Sequence, residues 1–308
     1  MNGPELVVIG HVLNETIEFP TSRLADLLGG PAAYISVIAA KLGARVGLVT
    51  VVGDDVSERL LAPVYQAGVD ARGIRGGHST TTNVLRYDHN GEKELLFLKK
   101  APDITVEDIP GPFRQARLFC LCPVDYEIEA ELLGYLHRED KTVMVELGGF
   151  GGAASNRRRQ LQEPGTPVRD VTYVIRHSDI AKASSEDCQH LFGRVVGPDH
   201  LIQLGTQVGI ITKGPEGAEV ARRGVATPTT CPAMTDRPVD VTGAGDAFTA
   251  GFLANYLRTG DPIRASMYAC ATAALVIERT GGVILDRMPT AREVEIRLSK
   301  YKISSPGL

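Results

Sequence analysis

The stretch DVTGAGDAFTAGF, Asp240 to Phe252, runs a glycine-rich turn straight into an amphipathic helical pattern, with the carboxylate of Asp246 at the junction. Gly243 and Gly245 allow the backbone to approach an anion closely, and the first amides of a helix lack internal partners, so they point at whatever phosphate lies there. That combination suits phosphoryl transfer. Two readings of Asp246 stand at this point. A carboxylate beside an anion site is repelled by the anion, which makes sense for a general base that takes a proton from an attacking hydroxyl. Alternatively, Asp246 is a first-turn acid favoured by the helix macrodipole and the glycines only form a loop.

Outward from this stretch, short apolar runs alternate with helical patterns: LVVIG (6–10), a helix after Gly30, VGLVTVV (46–52), a helix after Asp55, LFCLC, a helical pattern over Glu127–His137, TVMVEL and VGIIT. Repeated strand, helix, strand units predict an α/β fold with a doubly wound, mainly parallel sheet flanked by helices, and ligands at the carboxyl ends of its strands. The chain reads as one domain over 1–308, with a mostly helical C-terminal third. Two segments break the rhythm: Thr16–Phe19, and Thr80–Leu98 with its turn DHNGE and Asn90–Gly91 at the tip. They predict a small β-sheet built from about 12–28 and 78–100, serving either as a lid or as a plain surface hairpin.

Three motifs carry a family resemblance. Asp240–Asp246 matches at every position the pattern Asp-x-Thr-Gly-Ala-Gly-Asp; GGPAAYISVIAAKLGARVGLVTVVGDD (Gly29–Asp55) and ITKGPEG (Ile211–Gly217) follow the family order. The chain thus resembles the ribokinase-like (PfkB) carbohydrate kinases. The resemblance implies that Asp246 is the catalytic base and that the amides of Gly243, Ala244 and Gly245 form the anion hole. It also implies that Gly29 and Gly30 lie against the substrate, that Thr212, Lys213, Gly214, Gly217, Thr242, Gly243 and Gly245 border ATP, and that a monovalent cation binds near Asp240. The β lid then closes over the acceptor, keeping water from competing with its hydroxyl.

The substrate side departs from the commonest family pattern. Glu15 occupies a position that is usually Asp, with Asn14 beside it, and Glu146 in VMVELGG makes the same exchange. The magnesium motif Asn-x-x-Glu is replaced within KASSEDC by Ser184 and Asp187, both oxygen ligands that suit Mg2+; the same residues also read as a helix N-cap followed by first-turn acids. The segments GHV, GGPAAYIS, the triple Thr80–Thr82, LKKAPDITVEDIP and KASSED resemble the myo-inositol kinase-like branch. A cyclitol offers a ring of hydroxyls that Asn14, Glu15 and Asn83 would read by hydrogen bonding, and ribose, fructose and nucleosides remain alternatives.

The net charge of −4 and the lack of clustered basic residues, apart from Arg157–Arg159, argue against a nucleic-acid partner. No apolar run approaches the ~20 residues a membrane span needs, and five cysteines without paired metal-ligand spacing point to a reducing cytoplasm. Cys120 and Cys122, two apart in an apolar run, should face the same side of one strand. The expected partners are ATP, Mg2+ and a small polyol or sugar, with a homodimer through the lid open. Two competitors are a kinase homologue that binds a polyol without turnover and an NAD oxidoreductase, the latter suggested by G-x-G-x-x-A within GGFGGAA (Gly148–Ala154).

Overall fold

The computed structural model describes residues 3–89, 93–153, 170–235 and 237–301; the turn tip Asn90–Gly91 and the run Arg157–Arg159 lie outside the described residues. In chain order the strands are β1 (Leu6–Ile9), β2 (Leu13–Phe19), β3 (Ser22–Gly29), β4 (Val46–Gly53), β5 (Asp70–Gly77), β6 (Thr81–Tyr87), β7 (Lys93–Lys99), β8 (Leu118–Leu121), β9 (Thr142–Glu146), β10 (Ile180–Ser184), β11 (Val208–Thr212), β12 (Ala218–Arg222) and β13 (Thr229–Cys231). The helices are α1 (Pro31–Lys41), α2 (Glu58–Gln66), α3 (Ala130–Arg138), α4 (Val171–Arg176), α5 (Ser185–Phe192), α6 (Pro198–Leu204), α7 (Ala244–Thr259), α8 (Pro262–Ile277) and α9 (Ala291–Ser299).

A nine-stranded sheet runs in the order β13-β12-β11-β10-β9-β8-β1-β4-β5. From β11 to β5 all neighbours are parallel, and β12 and β13 add an antiparallel edge. Its central strands β1, β4, β8 and β9 are buried at nearly every position because both faces are covered, whereas the edge strands β5 and β13 are polar and partly exposed. Leu6 and Val8 of β1 pack with α1, α2, α7, α8 and α9, whereas Val7 and Ile9 pack with α3, α4, α5 and α6. Cys120 and Cys122 share the first layer while Phe119 and Leu121 join the second, as their spacing predicts. All five cysteines are buried and unbridged.

Helix α7 is buried all round from Ala247 to Asn255, where the sequence pattern predicts an amphipathic helix. It is sandwiched between α1 and α8. A Cβ at Gly251 would stand 2.5 Å from Thr272 Oγ1 of α8, so this glycine permits the close helix crossing. The pattern over Glu127–His137 begins its helix later, at Ala130, because the buried Glu127 carboxylate accepts the amides of Val124, Asp125 and His11 instead of continuing the helix.

A separate four-stranded sheet has the order β3-β2-β6-β7. It is larger than the short runs suggest. The strand read at Thr16–Phe19 starts at Leu13 and turns at Pro20–Thr21 into β3, whose sequence SRLADLLG carries little strand propensity and is held by pairing with β2. Between Glu15 and Ile17 the register slips, with Ala25 and Asp26 bulged out and Asp26 at φ 54, a conformation that Asp tolerates. Among the described residues, no helix is long and apolar enough to cross a membrane.

Candidate active site

The turn before α7 ends on Gly243, the N-cap, at φ 78. A side chain there would be strained, and its Cβ would stand 2.5 Å from the Tyr34 ring of α1. Asp240 shapes the turn from behind: its carboxylate accepts the amides of Thr242 (2.9 Å) and Gly281 (3.1 Å). The Ala244 amide, expected to belong to an anion hole, instead bonds back to Val241 O at 3.1 Å. Asp246 sits half-buried in the first turn of α7.

Beneath this helix end lies a buried ion pair. Lys182 of β10 and Glu146 of β9 are neighbours in register, and Lys182 Nζ donates to both carboxylate oxygens at 2.9 and 3.1 Å. Glu146 also accepts the hydroxyl of Thr249, one turn into α7. A Cβ at Gly245 would stand 3.4 Å from Lys182 Nζ, which places the ammonium directly under the first turn of α7. Burial pushes the Glu146 carboxyl up, with Lys182 and Thr249 pulling it back. Burial acts to lower Lys182, but the Glu146 carboxylate outweighs it and holds the ammonium above its ordinary range.

On the acceptor side, the structure brings together Glu15, Asn83, Gly29 and Gly30. Glu15 and Asn83 are paired in register across β2 and β6, both buried, with Asn83 Nδ2 donating to Glu15 Oε1 at 3.0 Å. Asn83 Oδ1 is buried with no hydrogen-bond partner. A Cβ at Gly29 would meet Glu15 at 3.0 Å, and Gly30 takes φ 87 to start α1. Asn14 is set apart: adjacent strand residues face opposite sides, so it lies with Thr82 on the outer face of the small sheet.

Tyr34 connects the two sides. Its hydroxyl accepts from Arg287 Nη1 at 2.9 Å, and its phenol is pushed far up by burial, opposed by Arg287 and reinforced by Glu15, Asp246 and Asp240. These charges therefore surround one ring. Tyr34, Lys182 and Thr249 lie inside quoted motif segments but were given no role there, and Arg287 lies outside them all; the only signal was indirect, since a buried Lys in an apolar strand demands a carboxylate nearby.

The segment proposed to border the nucleotide forms a tight turn after β11. Thr212 ends the strand, Gly214 opens a 3-10 turn, and Gly217 at φ 91 leaves no room for a side chain, since its Cβ would stand 2.1 Å from Cys231 O. Lys213 Nζ is turned to Glu219 at 2.6 Å. Ser184, in register with Thr212, is the N-cap of α5 and forms a capping box with Asp187. Asp187 Oδ2 takes the amide and hydroxyl of Ser184 (2.8 and 2.7 Å) and Oδ1 takes the Ala153 amide (2.9 Å). Gly148 and Gly152 wrap around that carboxylate, and a Cβ at Gly152 would stand 2.3 Å from it. Gly148 and Gly152 are thus explained by packing on Asp187, Gly149 by its contact with Pro123 and Gly151 by its φ of 116, without a dinucleotide turn. Among the described residues, no group of three or more His, Cys, Asp or Glu side chains is placed to hold a metal ion. Magnesium held mainly by water and phosphate oxygens needs no such cage, and Asp187, already committed to three donors, would reach it through water.

The small sheet is bonded to this site at both ends. At its root the Ala101 amide donates to Thr81 Oγ1 (3.0 Å), the Thr81 hydroxyl to His11 Nδ1 (2.8 Å), and His11 Nε2–H to Pro102 O (3.0 Å). Asp55 accepts the Thr80 amide and Lys99, both at 2.9 Å. At the far end of β6, the Tyr87 hydroxyl meets Thr242 Oγ1 at 3.0 Å, reaching the turn that precedes the anion site.

Comparison with known proteins bears on the family and the fold. A cytidine kinase of Thermococcus kodakarensis is 29% identical over 264 residues, covering 84% of this chain and 90% of its own. A fructokinase of Klebsiella pneumoniae is 28% identical over 273 residues, covering 85% and 87%. The Arabidopsis thaliana ribokinase complexed with ribose and ATP superposes with a TM-score of 0.76 at 20% identity, over 96% of this chain and 99% of the other. The family model for the pfkB family carbohydrate kinases matches residues 4–290. The chain therefore belongs to the pfkB family, with the ribokinase-like fold, and is a sugar or nucleoside kinase, a phosphotransferase with a hydroxyl acceptor.

Proposed function

We propose that this kinase transfers the γ-phosphoryl group of ATP to one hydroxyl of a small polyol, with Asp246 as general base, and that the acceptor is a cyclitol of the myo-inositol type. The observation that carries the proposal is the convergence on Tyr34: Glu15 on the acceptor side and Asp246 at the helix N-terminus both lie within electrostatic reach of its phenol. An acceptor bonded to Glu15 and Asn83 would present a hydroxyl toward Asp246. The unpartnered Asn83 Oδ1 and the Glu15 carboxylate are both hydrogen-bond acceptors, which suits a substrate that donates from adjacent hydroxyls.

Asp246 would take the proton as the oxygen attacks, while the α7 N-terminus and the Lys182 ammonium oppose the charge on the transferring group. Mg2+, when bound, would supply further charge neutralisation on the phosphates. The small sheet would act as a lid, with Tyr87 on Thr242 closing the nucleotide side. Its outer face, with Leu96 and Leu98 exposed, would offer a surface for a homodimer.

A second reading follows from the relatives named as cytidine kinase and fructokinase: Glu15 and Asn83 would equally well bond the diol of a ribose or fructose. An ADP-release assay with Mg2+ and ATP against myo-inositol, ribose, fructose, cytidine and other nucleosides separates these. Asp246→Asn should lower kcat by about 10²–10⁴ while nucleotide binding and Tm hold. Near-native kcat in that variant would refute the role of Asp246, and tight polyol binding without turnover would favour a non-catalytic homologue.

A further inference from the structure

The resemblance implies a monovalent cation near Asp240, and the residues present do not fit one. The space is filled by Arg287, whose side chain is fully buried. Its Nε donates to the carbonyls of Val276 (3.2 Å) and Arg279 (2.9 Å). Nη1 donates to the Tyr34 hydroxyl (2.9 Å) and to Gly281 O, and Nη2 to the carbonyls of Asp240 (3.1 Å) and Thr242 (2.8 Å). Asp240 Oδ2 lies 3.6 Å from Nη2. Five carbonyls, a phenol oxygen and one carboxylate from three separate segments thus surround a single positive charge. That is the oxygen shell a bare cation would need, and the guanidinium already satisfies it with directed bonds. A second cation there would face the Arg287 guanidinium at contact distance.

We propose that Arg287 is a built-in substitute for a monovalent cation. It ties Asp240–Thr242 to Val276–Gly281 and so holds the Gly243–Gly245 turn in place, acting as a positioning residue. The inference rests on the kinase reading for its activity arm only. The Arg287–Tyr34 contact adds a second brace, because the guanidinium carbon lies 5.8 Å from the Tyr34 ring centroid and that ring walls Gly243.

The test compares chloride salts of potassium, sodium and tetramethylammonium at equal ionic strength. For the wild-type protein, kcat, the KM for ATP, Tm and the Kd of a non-hydrolysable ATP analogue should each change by less than about twofold, or by no more than the measurement error for Tm. Arg287→Ala should lose about tenfold or more in kcat, and should regain activity, Tm and analogue affinity on addition of low guanidinium or potassium. Activation of the wild type by potassium of about tenfold or more overturns the proposal, as does a folded Arg287→Ala protein with native kinetics or one that no small cation repairs. If every Arg287 variant fails to fold, the wild-type salt series still decides. Absence of turnover with every acceptor would count against the kinase reading, while the Tm and analogue-binding arms would still decide this one.

Discussion

Lys182→Met isolates the buried ion pair beneath α7. The two side chains are 5% and 11% exposed and share two bonds of 2.9 and 3.1 Å, so removing the ammonium strands the carboxylate of Glu146 in the core. Breaking one side of such a pair costs about 3–5 kcal/mol. With an unfolding entropy of about 2.1 cal/mol/K per residue, a 308-residue chain has about 0.65 kcal/mol/K in total, so the Tm should fall by about 5–8 °C. Glu146→Gln should cost a similar amount, because it strands Lys182. The double variant should recover most of the loss, giving a coupling energy of at least about 2 kcal/mol. Burial raises the Glu146 pKa above its unfolded value, so without Lys182 the loss should shrink as the pH falls through the raised, folded value and grow as it rises. Urea titrations followed by circular dichroism measure all three variants. Turnover separates stability from chemistry: the double variant should remain about tenfold or more below wild type in kcat, because the positive charge under the phosphate site is gone. Single-variant losses that add within about 0.5 kcal/mol, or a Lys182→Met loss below about 1 kcal/mol, would refute the argument.

Gly243→Ala should lose about 1–2 kcal/mol to its positive φ and about 1–3 more to overlap with Tyr34, with kcat falling about 10²-fold; native Tm and kcat would show that the turn tolerates a side chain. Gly152→Ala should push its Cβ into the Asp187 carboxylate and lower Tm by a few degrees, about 1–3 kcal/mol, which a thermal scan would register; an unchanged Tm would mean that the capping box is not fixed by this turn. Glu278 is held below its ordinary carboxylate range, chiefly by hydrogen bonds from Arg297 at 2.8 Å. Its contribution is complete above the ordinary value of 4.5 and is lost as the pH falls through the lower, folded value, so Glu278→Gln should flatten the acid limb of the stability curve at a neutral-pH cost of about 1–2 kcal/mol.

The layers of this fold were legible because β1, β4, β8, β9 and β11 are largely continuous apolar runs and most helices begin at glycine or capping residues, signals that survive in any tertiary context. The glycine turn before α7 was legible for the same local reason: Gly243 needs a positive φ, and only glycine supplies it without strain. Strand β3 was not legible, since Arg23, Leu24, Ala25 and Leu27 are ordinary helix formers and only pairing with β2 decides their state. The amphipathic reading of α7 failed because Thr249 and Asn255 look like a polar face, yet α1, α8 and the sheet cover them. Asn14 and Glu15 looked equivalent as neighbours until strand alternation separated them. Arg287 lay beyond any pattern, because its partners are main-chain carbonyls, whose positions a sequence of side chains does not encode.

The Gly29–Gly30 segment and the Gly243 turn, more than 200 residues apart in the chain, are joined through Tyr34. Gly30 starts the helix that carries this residue, its ring walls Gly243, and its hydroxyl bonds Arg287, which holds the carbonyls of Asp240 and Thr242. A hydroxyl placed against Glu15 and a phosphoryl group placed at the α7 N-terminus would therefore meet at a distance set by the core. The small sheet contributes differently. Apart from the main-chain bond from Val283 N–H to Leu28 O, its bonds to the body run through side-chain hydroxyls, an imidazole and the partly exposed Asp55–Lys99 pair, which yield more readily than packed helices. Alignment of the reacting atoms would then belong to the α1–α7 junction, and exclusion of water to the sheet, so loosening the sheet should raise the KM of the acceptor and the uncoupled hydrolysis of ATP more than it lowers the rate of transfer itself.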